Sequence, residues 1–382
     1  MFRLFECSKL FLPDIFISYV IIIARLYIGI TRITNFNFFM KKIRVAINGF
    51  GRIGRAFAKI ALNRDEIELV AINDLGNIKN FAYLLKYDTA YGVSPFDVGY
   101  DEEKGIITMD GSDIRFISEK DPTKLPWRQM DIDIVVESTG LFTSAEKAQA
   151  HIVAGAKRVV VSAPIKDAPD ATIKGETILM AMNEDKLESC TVSSNASCTT
   201  NASSPLIAIL DETIGIEKAI LNTVHAYTAS QALVDGPSKK DLREGRAAAQ
   251  NIVPSSTGAA IAVTKVATQL ANKFDGISIR VPVVTGSIVD VTFIAKRNTT
   301  AEEVNSILKK AAADTRWNGI FAVTEDPIVS HDIIGNRHAS IADLEMTRVV
   351  DGNLVKVLGW YDNETGYTHT LVSHVIAAGR LI

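Results

Sequence analysis

Two residues in this chain have the types to make a covalent catalyst. Cys198 lies in the run Ser194-Asn195-Ala196-Ser197-Cys198-Thr199-Thr200-Asn201. That run follows a short strand pattern, Thr191 to Ser193, and precedes a helix expected over roughly Thr200 to Thr213. A thiol at a helix N-terminus faces unpaired backbone N–H groups, so its pKa is expected below that of a free cysteine, and the thiolate is the attacking form. His225 falls within a strand pattern, Ile220 to Thr228. An imidazole beside the sulfur could hold the thiolate and carry protons. Taken alone, a buried cysteine and a packed strand histidine are ordinary core residues. Their weight comes from a second site upstream.

That second site is Gly49-Phe50-Gly51-Arg52-Ile53-Gly54, a G-x-G-x-x-G between a strand pattern (Ile43 to Ile47) and a helical one (Ile53 to Leu62). The motif alone is weak, but strand before and helix after is the context that dinucleotide binding requires. Gly49 allows a tight turn, Gly51 lets backbone approach a pyrophosphate, and Gly54 lets the helix pack on the strand. The helix N-terminus then faces the phosphates. Asp74 ends a second strand (Glu68 to Ile72) twenty residues after Gly54, since 74 − 54 = 20. A carboxylate there meets the adenosine ribose hydroxyls. Leu75 and Gly76 follow it, with no arginine to offset a 2′-phosphate, so NAD is expected rather than NADP.

The elements that must position these residues suggest two domains, as does the length of 382 residues. Helix and strand signals alternate after Met40: a helix near Ile78 to Leu85, a strand Ile132 to Val136, a helix near Ser144 to His151 and a strand Arg158 to Val161. Alternation implies a parallel sheet with crossover helices, with hairpin-like insertions between Asp97 and Phe116. After Cys198 the runs lengthen: Lys218 to Thr228, Ile277 to Val284 and Ser287 to Lys296. These predict a mixed or antiparallel sheet. Between them lies a long polar stretch, Ser230 to Pro254, of a length that is usually functional. The last helical pattern runs from Glu364 to Ala378. The fold class is thus α/β: a Rossmann-type NAD-binding domain (40–197), an α+β catalytic domain with a large mixed sheet (198–362), and a C-terminal helix (363–382).

Composition narrows the function. Hydrophobic residues are 47%, charged residues 22% and the net charge −3, which suits a globular enzyme and gives no reason to expect nucleic acid as a partner. Three cysteines (Cys7, Cys190, Cys198) make no disulfide framework, so a reducing, cytoplasmic setting is expected. No histidine or cysteine spacing suggests a metal site. Residues 1–39 have a different composition, rich in Phe, Ile, Leu and Tyr. Within them Leu10 to Ile30 is nearly long enough to span a membrane but carries Pro13, Asp14 and Arg25, and no secretory cleavage site follows. The expectation is an upstream stretch with Met40 as the true start; a membrane anchor or a structured extension are the alternatives.

The segments AINGFGRIGR (Ala46 to Arg55), SNASCTTN, HAYT (His225 to Thr228), DGPSKKDLREGR (Asp235 to Arg246), SSTGAA (Ser255 to Ala260), RVP (Arg280 to Pro282) and WYDNETGY (Trp360 to Tyr367) resemble, in order, the phosphorylating glyceraldehyde-3-phosphate dehydrogenases. The resemblance implies that Cys198 attacks the aldehyde to give a hemithioacetal. His225 would activate the thiol and support hydride departure to the nicotinamide, and inorganic phosphate would cut the resulting thioester. It implies a substrate-phosphate site of Arg280 and Thr228 with Ser230 nearby. An inorganic-phosphate site would comprise Ser197, Thr199, Thr257, Gly258 and Arg243, with Arg246 as the alternative arginine. Arg52 and Ile53 would meet the pyrophosphate, Asp74 the ribose, Lys120 would make a main-chain contact, Thr139 would meet the adenosine side, and Asn363 the carboxamide. A homotetramer is implied through the long loop after Ser230.

Departures from the family pattern are Ala202, where a second cysteine is frequent, Thr365, where a larger residue is frequent, and VVTGSIVD after Pro282. Erythrose-4-phosphate dehydrogenase shares the scaffold but usually lacks the HAYT and SSTG runs. A membrane-tethered non-catalytic binding protein is the reading from another class, and it requires residues 1–39 to be retained.

Overall fold

Ile43–Asn48 (IRVAIN) opens the first sheet of the computed structural model, which describes residues 41–168, 171–173, 175–238 and 241–382. The expectations for residues 1–39 and for Met40 as the start lie outside these. Val45, Ala46 and Ile47 are fully buried, as a strand covered on both faces must be. It pairs in parallel with Ile67–Asn73 on one side and Ile134–Glu137 on the other. The nine strands run in the order Glu176–Thr177, Val192–Ser194, Arg158–Val161, Ile134–Glu137, Ile43–Asn48, Ile67–Asn73, Ser112–Ile117, Ile106–Met109, Val98–Asp101. The centre is parallel. The insertion expected between Asp97 and Phe116 folds as an antiparallel edge whose last strand, Ser112–Ile117, joins Ile67–Asn73 in parallel. Successive strands leave Ile43–Asn48 on opposite sides, so a crevice opens at its carboxyl end, where Gly49 stands.

The second sheet has seven strands: Val253–Ser256, Phe274–Val281, Ile216–Ala226, Ser287–Ala295, Leu354–Tyr361, Ser340–Val350, Phe321–Thr324. It is mixed, because Ile216–Ala226 runs parallel to Phe274–Val281 and antiparallel to Ser287–Ala295. The register sets His225 directly opposite Arg280. Leu221, Val289, Val291, Phe293, Val355 and Val357 form the buried face, against Leu206, Ile207 and Leu210 of the helix Cys198–Thr213. The long polar stretch is shorter than expected, since Val253–Ser256 is already a strand. Pro254 is tolerated there because that strand is an edge and needs no inward N–H.

The last helix, Thr365–Gly379, is apolar nearly all round and buried accordingly. Tyr367, Leu371, Val372 and Val375 pack with Val45, Phe57 and Ala58 of the first sheet and its helix Arg52–Ala61. Each such aliphatic side chain contributes about 1.5–3 kcal/mol on burial. Among the described residues no helix is long and apolar enough to cross a membrane.

Candidate active site

The strand Val192–Ser194 ends under Asn195, and Ala196 then takes a left-handed conformation with φ 54°. An alanine there costs on the order of 1 kcal/mol, so the turn must be held. Ser194 Oγ accepts from the Ala196 amide at 2.9 Å, and the Tyr367 hydroxyl donates to the Ala196 carbonyl at 3.2 Å. Asn201 Nδ2 donates to the carbonyls of Asn195 (2.7 Å) and Ser197 (2.9 Å). Ser197 is the N-cap, its Oγ accepting from Thr200 N at 3.1 Å, which makes Cys198 the first helical residue. The helix therefore starts two residues earlier than the sequence pattern suggests.

Cys198 Sγ lies 3.3 Å from His225 Nε2. The expected depressed thiol pKa is not what the site produces. Burial pushes the Cys198 thiol up, opposed by the Arg280 charge and by hydrogen bonds from Thr199 and the helix start. Burial and then Arg280 pull His225 down to about 3, against a smaller opposing effect of the Ala226 carbonyl. Burial thus favours the uncharged form of each partner, while Arg280 and the helix start favour the thiolate, and the imidazole stands within reach of the thiol proton. Tyr361 packs edge-on against His225, with ring centroids 5.9 Å apart. Its buried hydroxyl bridges Thr199 Oγ1 (2.9 Å) and Thr223 Oγ1 (2.8 Å), tying the nucleophile's helix to the histidine's strand.

A cavity of about 750 Å³ joins this pair to the glycine turn. Its lining includes Ile53, Ser197, Cys198, His225, Thr228 and Asn363. The residues present fit a nicotinamide dinucleotide. Gly51 precedes the first helical residue, no side chain caps that helix start, and a Cβ built on Gly51 meets nothing within 4 Å, so the helix start is open to close approach by a phosphate. A Cβ on Gly54 would stand 2.2 Å from the Gly49 carbonyl oxygen, which is the close packing expected of the third glycine. Asp74 accepts from the amides of Phe50 (2.7 Å) and Gly76 (3.0 Å), so its carboxylate is fixed at the crevice. Thr139 lies beside Gly49, its amide donating to Glu137 Oε1 at 2.8 Å. Lys120 is exposed, just past Glu119, whose backbone is pinned to Asn73 by hydrogen bonds of 2.9 Å. The Arg52 side chain turns elsewhere: it is clamped between Glu364 and Asp88, so only its backbone N–H is offered to a pyrophosphate.

The expected phosphate residues divide. Thr228 lines the cavity and hydrogen-bonds Ser230, which is exposed. Arg280 has no carboxylate partner among the described residues and touches His225 Nδ1 at 2.6 Å. Ser197 lines the cavity, but the Thr199 hydroxyl is taken by Tyr361. Thr257 and Gly258 open the short helix Ala259–Thr264 outside the cavity lining. Arg243 is not brought to Cys198: at an exposed turn it is chelated by Asp241, at 2.7 to 3.2 Å. Arg246 is paired with Asp235 at 2.9 Å.

Several supporting residues escape a reading of the sequence. Asp362 is fully buried and accepts from Tyr91 Oη (2.8 Å) and from the amides of Gly335 (2.7 Å), Glu364 and Thr365 (2.9 Å each), which fixes the neighbouring Asn363. His374, pulled down to about 3 by burial, bridges Ser193 (2.9 Å) and Asn195 (3.2 Å) beneath the nucleophile turn. The signal that points to Asp362 is three polar residues in a short segment, Asp362-Asn363-Glu364, ahead of an apolar helix, whereas nothing in the local pattern singles out His374.

Comparison with known proteins agrees with this geometry. Residues 43–145 match the family described as glyceraldehyde 3-phosphate dehydrogenase, NAD binding domain, and residues 197–363 match its C-terminal domain. The chain is 48% identical over 341 residues to a glyceraldehyde-3-phosphate dehydrogenase of Streptomyces coelicolor, covering 88% of this chain and 99% of the relative. It is 47% identical over 335 residues to glyceraldehyde-3-phosphate dehydrogenase 1 of Candida glabrata, covering 87% and 98%. A glyceraldehyde-3-phosphate dehydrogenase from Borreliella burgdorferi is 47% identical over 337 residues, covering 86% and 98%.

Proposed function

The chain belongs to the glyceraldehyde-3-phosphate dehydrogenase family, and from that premise we propose how its residues oxidise D-glyceraldehyde 3-phosphate to 1,3-bisphosphoglycerate with NAD and inorganic phosphate. The observation that carries the reading is the Cys198 Sγ to His225 Nε2 contact of 3.3 Å, at the floor of a cavity that continues to the glycine turn. Cys198 attacks the aldehyde carbon as its proton passes to His225, and the proton returns to the new hemithioacetal oxygen. When bound, NAD supplies the acceptor for the hydride that leaves the hemithioacetal carbon. His225 takes the hydroxyl proton as the carbonyl re-forms, leaving a thioester on Cys198. Inorganic phosphate attacks the thioester carbon, and the thiolate leaves and recovers the proton from His225. Asn363 orients the carboxamide of the cofactor, and Arg280 with Thr228 holds the substrate's phosphate.

Cofactor contacts are assigned to Gly49, Gly51, Ile53, Gly54, the Arg52 amide, Asp74, Lys120 and Thr139. Inorganic phosphate is assigned to Ser197, Thr199, Thr257 and Gly258, with Arg243 or Arg246, either of which must first release its aspartate. We assign residues 40–197 to NAD binding, 198–362 to catalysis and 363–382 to a helix completing the first unit. The long loop exposes Leu233 (80%), Val234 (73%), Leu242 (86%) and Ile252 (70%), apolar surface that a second copy would cover. This supports a homotetramer, in a cytoplasmic setting that keeps Cys198 reduced.

The test is NAD reduction by the purified protein with D-glyceraldehyde 3-phosphate, with and without inorganic phosphate. Sustained turnover only with phosphate is expected. Turnover of equal rate without it would contradict phosphorolysis.

A further inference from the structure

Asn73, Asn48 and Glu137 stand side by side at the carboxyl ends of three neighbouring parallel strands, in register with one another. All three are polar and no more than 5% exposed. Each comes just before a position assigned to the cofactor: Asn48 before Gly49, Asn73 before Asp74, and Glu137 two residues before Thr139. None of the three takes part in the chemistry at Cys198.

Their side chains form one hydrogen-bonded row. Asn73 Nδ2 donates to Asn48 Oδ1 at 2.7 Å, and Asn48 Nδ2 donates to Glu137 Oε2 at 2.6 Å. At one end the Asn73 amide grips the backbone of Glu119, next to Lys120, with two hydrogen bonds of 2.9 Å. At the other end lies the fully buried His151, its Nε2 3.0 Å from Glu137 Oε2 and its Nδ1 3.1 Å from Trp127 Nε1. An indole N–H only donates, so Nδ1 accepts and the ring proton sits on Nε2, pointing at Glu137. Asn48 Nδ2 lies 3.4 Å from that Nε2, as two donors converging on one oxygen must. The other carboxylate oxygen accepts the Thr139 amide at 2.8 Å and the Thr139 hydroxyl. Glu137 is thus met by four donors, and none of the four is a cation. A buried carboxylate is costly unless donors satisfy it in this way, so the row admits one order of donors and acceptors.

We propose that Glu137 is a positioning residue for the cofactor. With Asn48 and Asn73 it sets the spacing of the glycine turn, the Asp74 carboxylate and the Thr139 turn, and so fixes the seat of the adenosine half of NAD. The inference rests on the assignment of Gly49, Asp74, Lys120 and Thr139 to the cofactor. Segments that meet one ligand must keep their mutual distances, and side chains behind the contact surface hold them. The tolerance here is small, since a Cβ on Gly49 would stand 2.5 Å from the Thr139 nitrogen. Cys198 and His225 belong to other elements, so the row acts on cofactor binding and not on the chemical step.

The test is Glu137→Gln in the full chain. The amide keeps the shape but turns an NH2 group toward donors on one side, which then lose their acceptor. Calorimetry with NAD, and with ADP-ribose, which lacks the nicotinamide, should show both affinities reduced about tenfold. KM for NAD should rise in step while kcat at saturating NAD holds. The double variant Asn48→Asp with Glu137→Gln exchanges donor for acceptor, and its new carboxylate also stands within reach of His151 Nε2. Most of the lost affinity should return. If Glu137→Gln does not fold, Asn73→Ser cuts the row at its middle and should show the same rise in KM at constant kcat. Unchanged ADP-ribose affinity in the folded single variant, a fall in kcat in place of the rise in KM, or a double variant no better than the single one would overturn the proposal. Asp74→Ala separates it from the reading beneath it. If that variant also leaves ADP-ribose affinity unchanged, the cofactor assignment fails together with the proposal. If it weakens the affinity while Glu137→Gln does not, the proposal alone fails.

Discussion

Asn363 Oδ1 accepts the Gly286 amide proton at 3.0 Å, which decides which end of this side chain can meet a cofactor. Hydroxyls of Thr285 (3.2 Å) and Ser287 (3.1 Å) donate to the same oxygen. The amide is thereby oriented, and its Nδ2 is the donor left for a nicotinamide carboxamide. Asn363→Asp keeps the shape and the Gly286 contact but replaces that donor with an acceptor. Loss of one hydrogen bond of this kind is worth about 1–3 kcal/mol, so kcat/KM for NAD should fall by roughly ten- to a hundredfold. Steady-state kinetics at varied NAD checks this. An unchanged kcat/KM would remove Asn363 from the cofactor site.

Gly51 and Gly54 separate binding from folding. A Cβ on Gly51 meets nothing, whereas one on Gly54 would stand 2.2 Å from the Gly49 carbonyl oxygen. Gly51→Ala should leave the melting point nearly unchanged, within about 0.5 kcal/mol of stability, and weaken NAD binding by about tenfold or more. Gly54→Ala should destabilise the fold by about 2–3 kcal/mol. Calorimetric melting and NAD titration distinguish the two. Equal effects of both on melting would contradict the assignment of Gly51 to the cradle.

Glu364 grips Arg52 across 312 residues of sequence, with Asp88 on the other side of the guanidinium at 2.7 Å. The Arg52 side chain is 35% exposed, so screening reduces what the pair contributes. Glu364→Ala should cost about 1–2 kcal/mol and loosen the start of the last helix. Hydrogen exchange at Thr365 to Tyr367 should rise in step with the loss of stability. Unaltered exchange there would mean that Asp362 alone holds the helix start.

Acid should destabilise the protein through its buried histidines. His374, by burial, and His225, by burial and then Arg280, are both pulled down to about 3. The unfolded chain binds a proton at each near pH ~6.5, so above that pH neither state is favoured by these groups. Below it the unfolded state binds protons that the folded state cannot, until the pH nears 3. Stability therefore falls with pH in this window, approaching about 1.4 kcal/mol per pH unit for each histidine. Denaturant melts at about pH 7.5 and about pH 5.5, on either side of the unfolded-state value, should show a smaller difference in His374→Gln than in wild type. An equal difference would remove His374 from the account.

The reacting groups are legible in the sequence because their types are rare and their contexts punctuated. Gly49 to Gly54 sits between a buried strand and a helix, and Cys198 sits at a strand-to-helix junction. Relations between distant segments are not legible there. The Tyr361 hydroxyl bridges Thr199 and Thr223, yet on its strand Tyr361 occupies an apolar-face position like any other. The antiparallel partners of Ser287–Ala295, among them Leu354–Tyr361, carry no signal of their pairing, since alternation fixes a strand's faces but not its neighbours. The thiol pKa departs from expectation for the same reason: a helix start is visible in the sequence, whereas burial beside Arg280 exists only once the two sheets are folded.

The most direct measurement is the mass of the protein, followed by peptide mapping, after mixing with NAD and D-glyceraldehyde 3-phosphate in the absence of inorganic phosphate. A phosphoglyceroyl adduct on Cys198 is predicted, removed on adding phosphate and absent in Cys198→Ser. An adduct on another residue, or phosphate-dependent turnover that survives in Cys198→Ser, would contradict covalent catalysis at this cysteine.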